Sequence, residues 1–333
     1  MSDPCEPRRR KRRLAALAIA APLALAACTG PSAQQPGDTG PIATKKTDGP
    51  MRIAVVAHGT PGDAFWNVVK NGAEAAGKDL DVRVEYNSDG DAGNQAKLID
   101  NAVAQQVDGL VVSMSNPDAL RTAVTGAVRA GIPVITINSG EKRSAEFGAM
   151  THVGQSEEVA GEAAGARLKQ AGRTRLLCVI HEAGNIGLSQ RCDGAKRMFG
   201  DVRNLQVDIN NPTDVQSRLR GALQTDSSID AVLTLNPQAA ALAVTASKGA
   251  GSRAQVSTFD LNADVVAAIK AGEIQFAVDQ QQYEQGYLPV VFLKLYRDNA
   301  NTVGGGRPVF TGPGFVDKST VDTVGGYAQR GTR

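Results

Sequence analysis

Residues 52–66 read RIAVVAHGTPGDAFW and contain a strand, a polar loop and the start of a helix. The run Arg52–Ala57 is almost continuously apolar, as expected for a strand that is covered on both faces. A helical pattern follows from about Ala64 to Asp79. A buried strand followed by a helix is the unit from which parallel sheets are built.

The same alternation of strand and helix continues along the chain. Strands are predicted at Val82–Tyr86, Gly109–Ser113, Ile132–Ile137, Leu176–Ile180, Leu205–Ile209, Ala231–Leu235, Val256–Phe259 and Ile274–Val278. Helices between them imply parallel sheets with right-handed crossovers, which places the protein in the α/β class. Residues 51–333 are long enough for one (β/α)8 barrel or for two doubly wound lobes. Periodicity alone does not separate these two folds.

The predicted strands are followed by polar residues and by one aromatic pair. In open parallel sheets, ligands bind beyond the carboxyl ends of the strands. The side chains predicted there are amides, carboxylates, one guanidinium and two aromatic rings: Asp63, Phe65, Trp66, Asn138, Arg191, Asn236, Asp260 and Gln280. Planar polar groups bind neighbouring hydroxyls, and rings cover the C–H face of a sugar, so this mixture suits a polyhydroxylated ligand.

Each of these residues also has a structural interpretation. Asn138, Asn236 and Asp260 are of the types that cap helix N-termini. The adjacent aromatics Phe65 and Trp66 fit the core of the first helix equally well. Arg191, the one cation among the eight residues, would also fit an ordinary surface position. Residue chemistry alone therefore leaves both interpretations open.

The order and spacing of these motifs resemble the ribose-binding-protein family of periplasmic solute receptors. The likeness covers residues 51–316 and rests on short phrases that recur in order. They are Asp63 with Phe65-Trp66, GIPVITIN at 131–138, Gly154 with Gly161 at the start of a helix, Arg191-Cys192-Asp193-Gly194, Leu235-Asn236-Pro237, Phe259-Asp260 and FAVDQ at 276–280. In the family, residues at these positions surround a monosaccharide, so the resemblance implies that the eight residues above are ligand-binding.

The resemblance also implies a fold and a motion. It implies two doubly wound lobes joined by three chain crossings, near Gly154, Gln281 and Arg307–Pro308. The lobes would comprise residues 51–153 with 281–307, and residues 154–280 with 308–333. A ligand bound between them would be enclosed by hinge closure.

Two departures from the family pattern bear on the ligand. Asn138-Ser139 stands where ribose receptors carry an Asp-Arg pair, and the aromatic expected near Pro212–Val215 is absent. These differences argue against ribose itself. A neutral pentose, hexose, inositol or alditol fits the remaining polar set.

The amino terminus has the pattern of an export signal. Basic residues at 8–13 precede the uncharged, apolar Leu14–Ala27, which is too short to span a bilayer but typical of a signal peptide. Leu25-Ala26-Ala27-Cys28 resembles the bacterial lipobox, in which the cysteine carries a lipid anchor. Residues 1–27 are therefore predicted as a lipoprotein signal and 28–50 as anchor and tether, a plain signal peptide being the alternative.

Charge and aromatic content argue against nucleic-acid binding. The net charge of +2 arises from residues 1–27, which hold six basic and two acidic residues, so the remainder is at −2. No basic field remains to attract DNA, RNA or anionic lipid. Aromatic residues make up only 4% of the chain, which is few for stacking on single strands.

No sequence motif supports an enzyme. The first βα loop lacks GxGxxG, and the chain has no phosphate loop, no GxSxG elbow and no CxxC or HExxH metal motif. We therefore expect no metal and no cofactor. Cys178 and Cys192 are compatible with a disulfide in an exported protein, or with two buried free thiols.

Together these features predict a monomeric, membrane-tethered receptor outside the cytoplasm. It would deliver a neutral sugar or polyol to the permease of an ABC importer, without nucleic-acid partners. The alternatives are a receptor that docks onto a sensor kinase or chemoreceptor, and a barrel enzyme.

Overall fold

The computed structural model describes residues 49–60 and 62–333, which form two lobes, each built on a six-stranded sheet. The predicted signal peptide, the lipid anchor Cys28 and nearly all of the tether lie outside the described residues. In the part of the chain that is described, no helix has the length and apolar character needed to cross a bilayer.

The first lobe alternates strands and helices and takes its last two elements from late in the chain. Its elements are β1 (Met51–Ala57), α1 (Ala64–Leu80), β2 (Val82–Ser88), α2 (Ala92–Ala104), β3 (Gly109–Ser113), α3 (Pro117–Arg129), β4 (Val134–Ile137), α4 (Glu141–Ser144), β5 (Thr151–Gly154), α10 (Gln282–Asn299) and β11 (Val309–Phe310). The strand order is β11-β5-β4-β3-β1-β2, with all strands parallel.

The second lobe repeats this plan. Its elements are α5 (Glu157–Gln170), β6 (Leu176–Ile180), α6 (Ile186–Phe199), β7 (Val202–Gln206), α7 (Pro212–Thr225), β8 (Ala231–Thr234), α8 (Pro237–Gly249), β9 (Gln255–Phe259), α9 (Ala263–Ala271), β10 (Ile274–Asp279), β12 (Gly314–Asp317) and α11 (Val321–Gln329). The strand order is β12-β10-β9-β8-β6-β7, with only β12 antiparallel to its neighbour.

Two open sheets confirm the predicted doubly wound α/β fold and exclude the barrel. The central strands are fully buried, as their apolar sequences predict: β3, β4, β6 and β8 contain no exposed residue. The strand predicted at Leu205–Ile209 is misplaced, because β7 runs from Val202 to Gln206. This strand lies at the sheet edge and is largely exposed, so it lacks the apolar run on which the prediction relied.

The chain crosses between the lobes three times. The first crossing follows β5 and the second follows β10, close to the predicted positions. The third lies between Phe310 and Gly314, a few residues later than the predicted Arg307–Pro308. The reason is that β11 still belongs to the first sheet, where Val309 pairs with Val153.

Each lobe contains a close helix pair that packs against its sheet, α1 with α10 and α5 with α6. Small residues allow the close approach in the second pair. A Cβ atom on Gly161 would lie only 2.1 Å from the carbonyl oxygen of Arg191. This contact holds α6 in place at Arg191, one of the residues predicted to bind ligand.

Candidate ligand-binding cleft

A cavity of about 630 Å³ lies between the lobes, at the carboxyl ends of the strands of both sheets. The volume suits a small-molecule site, and the location is the one expected for open parallel sheets. All eight residues predicted from the sequence line it: Asp63, Phe65, Trp66, Asn138, Arg191, Asn236, Asp260 and Gln280.

The aromatic wall of the cavity is set by the start of α1. Asp63 caps this helix and accepts hydrogen bonds from the backbone N–H groups of Phe65 (2.8 Å) and Trp66 (3.3 Å). The two rings meet edge to face, with centroids 5.0 Å apart. Both are 6% exposed, so they belong to the core and to the cavity wall at once. Gly59 makes room for the indole, because a Cβ there would lie 2.1 Å from Trp66 Cδ1.

Arg191 is a buried cation rather than a surface residue, with 3% exposure. Its Nε and Nη2 donate to the two carboxylate oxygens of Glu157 at 2.6 and 2.9 Å. Its Nη1 donates to the Leu235 carbonyl oxygen at 3.3 Å, and the guanidinium lies over the Phe259 ring at 4.6 Å. The side chain is therefore held from three directions before any ligand arrives.

A chain of amides and a carboxylate connects the two lobes across the cavity floor. Asn138 Nδ2 donates to Gln280 Oε1 at 3.1 Å, and Gln280 Nε2 donates to Asp260 Oδ1 at 2.7 Å. Gln285 Nε2 supports the same Gln280 oxygen at 3.0 Å. Gln280 thus sits between a residue of the first lobe and one of the second, next to the second crossing.

The helix-cap interpretation holds for one of the three residues to which it applied. Asn236 caps α8 by accepting from the Ala239 N–H at 2.7 Å, and it also lines the cavity. Asn138 and Asp260 cap no helix. Both have left-handed backbone conformations, with φ of 58° and 69°, at the ends of β4 and β9. Asn and Asp tolerate this region better than most residues, and here it turns their side chains into the cleft.

Burial shifts the pKa values of several groups that line the cavity. It raises the pKa of Asp260 to about 7, although Arg191 and Gln280 act in the opposite direction. Burial also raises the pKa of Asp63. It lowers the pKa of His181 to about 3, and the nearby Arg191 charge adds to this effect. This histidine is therefore neutral at physiological pH.

Two histidines that were not among the predicted ligand-binding residues also line the cavity. His58 and His181 follow β1 and β6, which occupy equivalent places in the two sheets. His58 Nδ1 lies 2.7 Å from Ser113 Oγ, and its Nε2 lies 3.4 Å from Asn185 Nδ2 of the other lobe. Each histidine directly follows a predicted strand, and this position in the sequence could have identified both as residues that line the cavity.

The lobes also touch beside the cavity. The N–H of Ile186 donates to the carbonyl oxygen of Ser115 at 3.0 Å, and Ser139 Oγ lies 3.4 Å from Asn185 Oδ1. These contacts bring the loops after β3, β4 and β6 together. The two lobes are therefore in contact at one side of the cleft.

Cys178 and Cys192 are joined by a disulfide, with their Cα atoms 5.9 Å apart. Of the two interpretations left open by the sequence, the structure contains the crosslink. It ties α6 to the central strand β6, one residue after Arg191. The guanidinium is thus carried by a helix that is fixed covalently and by the close packing at Gly161.

The arrangement offers many hydrogen-bond donors and acceptors suited to hydroxyl groups. The side chains that line the cavity include amides, carboxylates, one paired guanidinium, two histidines and two aromatic rings. Within residues 49–60 and 62–333, no three His, Cys, Asp or Glu side chains come together as a metal-binding group.

Comparisons with known proteins agree with this geometry. Residues 53–300 match the periplasmic binding protein domain family. A carbohydrate transporter from Acidothermus cellulolyticus 11B, solved in complex with myo-inositol, is 43% identical and superposes with a TM-score of 0.84. The match covers 86% of this chain and 100% of that one.

Curated relatives include the ribose import binding protein of Haemophilus influenzae. It is 26% identical over 289 residues, which cover 84% of this chain and 91% of the relative. The ribose import binding protein of Bacillus subtilis is 26% identical over 258 residues, 75% of this chain and 81% of the relative. These matches confirm the resemblance drawn from the strand-end motifs. The chain belongs to the periplasmic binding protein domain family.

Proposed function

We propose that this protein is an extracytoplasmic receptor that binds one neutral monosaccharide or cyclic polyol between its lobes and delivers it to an ABC importer. The proposal rests on the convergence of eight residues from six separate segments of the chain on one cavity. They combine hydrogen-bonding forks with an aromatic wall, which is the chemistry needed to recognise hydroxyls around a ring.

The size of the cavity favours a small ligand, and its acidic lining disfavours an anionic one. The guanidinium is already paired with Glu157, so it offers hydrogen bonds without an unbalanced charge. Asp260 and Gln280 supply further acceptors and donors for hydroxyl groups. Among neutral polyols we favour an inositol, because the 43% identical relative was solved with myo-inositol.

Binding would be coupled to movement of the lobes. Asn138 belongs to the first lobe, Asp260 to the second, and Gln280 lies at a crossing between them. A ligand that hydrogen-bonds to all three would favour the closed arrangement, since those contacts form together only when the lobes are close.

We also propose that the protein is exported and anchored by a lipid on Cys28. The support is the basic and apolar pattern of residues 8–27 and the lipobox-like Leu25-Ala26-Ala27-Cys28. A lipid anchor with a short tether would keep the receptor near its permease. Retention of the protein in the membrane fraction, and its release by Cys28→Ala, would test this part.

A thermal-shift panel tests the ligand class. Purified protein is heated with inositols, pentoses, hexoses, alditols, uronates and amino acids. A ligand that binds only the folded state raises the melting temperature by mass action. We expect the largest increase with a neutral ring polyol. If amino acids raise the melting temperature and no sugar or polyol does, the ligand class is wrong.

A further inference from the structure

Glu157 contacts the cavity only through Arg191, since it is absent from the lining. It is the first residue of α5, just after the first crossing, and it is 2% exposed. Gln155 Nε2 donates to its Oε2 at 2.9 Å. The family resemblance did not include this residue.

The ion pair occupies the part of Arg191 that best binds anions. A guanidinium binds carboxylates most strongly through two parallel N–H groups. Glu157 already takes one such edge, with Nε and Nη2 at 2.6 and 2.9 Å from its oxygens. A carboxylate on a ligand therefore cannot use this edge.

The other edge of the guanidinium is unsuitable for an anion as well. Nη1 donates to the Leu235 carbonyl oxygen and lies 4.0 Å from Asp260 Oδ2. A ligand carboxylate beside Nη1 would lie close to Asp260, and like charges in a buried site repel strongly. The N–H groups that remain suit a hydroxyl oxygen, which accepts a hydrogen bond and carries no net charge.

We propose that Glu157 is a positioning residue that sets the charge selectivity of the cleft. By neutralising Arg191 and holding its forked edge, it makes the cleft prefer uncharged polyols over anionic sugars such as uronates. This inference rests on the proposed function, because it specifies the ligand class of the same cleft. Without Glu157, the full guanidinium charge and its forked edge would become available to a ligand carboxylate.

The test compares two ring-shaped probes of similar size, neutral myo-inositol and anionic D-glucuronate. Isothermal titration calorimetry measures both with the wild type, Glu157→Gln and the control Glu162→Gln. The control removes an acid on the same helix whose partner, Arg197, also lies on α6, at 2.7 Å. That pair is exposed and lies outside the cavity.

We expect the wild type to prefer myo-inositol and Glu157→Gln to shift the ratio of the two Kd values toward glucuronate by about tenfold or more. Glu162→Gln should leave this ratio unchanged. If Glu157 had a purely structural role, Glu157→Gln would weaken the binding of both probes alike. An unchanged ratio of the two Kd values in this variant would therefore overturn the inference.

A second variant guards against a failure of Glu157→Gln to fold. Asp260→Asn retains the Arg191–Glu157 pair, so it should still prefer myo-inositol. If Asp260→Asn alone abolishes the preference, Asp260 sets the selectivity and the inference is wrong. A wild type that binds glucuronate as tightly as myo-inositol also overturns it. A wild type that binds no neutral polyol overturns the proposed function itself, and the two failures are thereby distinguished.

Discussion

Asp260 is a buried carboxylate whose charge changes near neutral pH. Burial raises its pKa to about 7 in the folded protein, from 3.8 as its ordinary value. Between these values the folded state keeps a proton that the unfolded chain releases. The stability due to this group is therefore complete below about pH 4 and is lost as pH rises through about 7. Arg191, Glu157 and Asp279 are the charged groups that influence it.

Asp260→Asn should remove this dependence. Relative to wild type, the variant should be close in stability at pH 4 and more stable at pH 8, by an amount on the order of a few kcal/mol. Asparagine also tolerates the left-handed backbone at this position. Urea unfolding at both pH values measures the difference. A difference between Asp260→Asn and wild type that is the same at both pH values would contradict the prediction.

At the residue scale, several side chains that line the cleft could be predicted because ligands bind beyond the carboxyl ends of parallel strands. Asn138 and Asp260 follow buried strands directly, so their positions could be predicted. Glu157 and Gln285 could not be predicted in this way, because each lies on a helix after a crossing. Glu157 meets Arg191 because α5 packs on α6. A contact between residues 34 positions apart leaves no pattern in the local sequence.

The close packing of α5 against α6 positions Arg191. Gly161→Ala would place a methyl group 2.1 Å from the Arg191 carbonyl oxygen, so the helices must separate. We expect a loss of about 1–3 kcal/mol in unfolding free energy and weaker ligand binding.

Gly221→Ala provides the matched control for this substitution. Gly221 lies inside α7, and a Cβ added there would have no neighbouring atom within 4 Å, so alanine should be neutral or stabilising by up to about 1 kcal/mol. Chemical denaturation of both variants measures the effects. Equal changes in the two variants would show that close packing at Gly161 is not the cause.

The disulfide fixes the same helix to its sheet. Replacing Cys178 and Cys192 with alanine opens a crosslink that spans 14 residues, and we expect a loss of about 3 kcal/mol in stability. Alanine avoids burying a hydroxyl group at these two buried positions. Denaturant unfolding with and without reductant measures the effect. Reductant should destabilise the wild type and leave the double variant unchanged; an insensitive wild type would contradict the crosslink.

At the element scale, prediction succeeded for the strands with long apolar runs and failed mainly, though not only, at sheet edges. The apolar run Gly109–Ser113 has the same bounds in the sequence prediction and in the structure. The edge strand β7 was displaced, and β5, β11 and β12 were missed. The strands β7, β11 and β12 are partly exposed, so burial imposes little apolar pattern on their sequences. The strand β5 is buried, but its sequence THVG is only four residues long and half polar.

At the scale of the whole molecule, the two lobes are variations on one plan. Their sheets have the same strand order, and His58 with His181 and Asn138 with Asp260 occupy equivalent strand ends. A ligand between them would therefore be contacted by corresponding positions from both sides. The polar chain Asn138–Gln280–Asp260 joins the lobes beside a crossing, so we expect occupancy of the cleft to affect the hinge.

The most direct test of this account uses Trp66, the only tryptophan in the chain, which lies in the wall of the cleft. Its fluorescence is recorded while the protein is titrated with neutral polyols, beginning with myo-inositol. We predict a saturable change in emission that ends at one ligand per protein, because the ligand ring would contact the aromatic wall. Calorimetric binding of such a ligand without any change in Trp66 emission, or no binding of any neutral polyol, would contradict it.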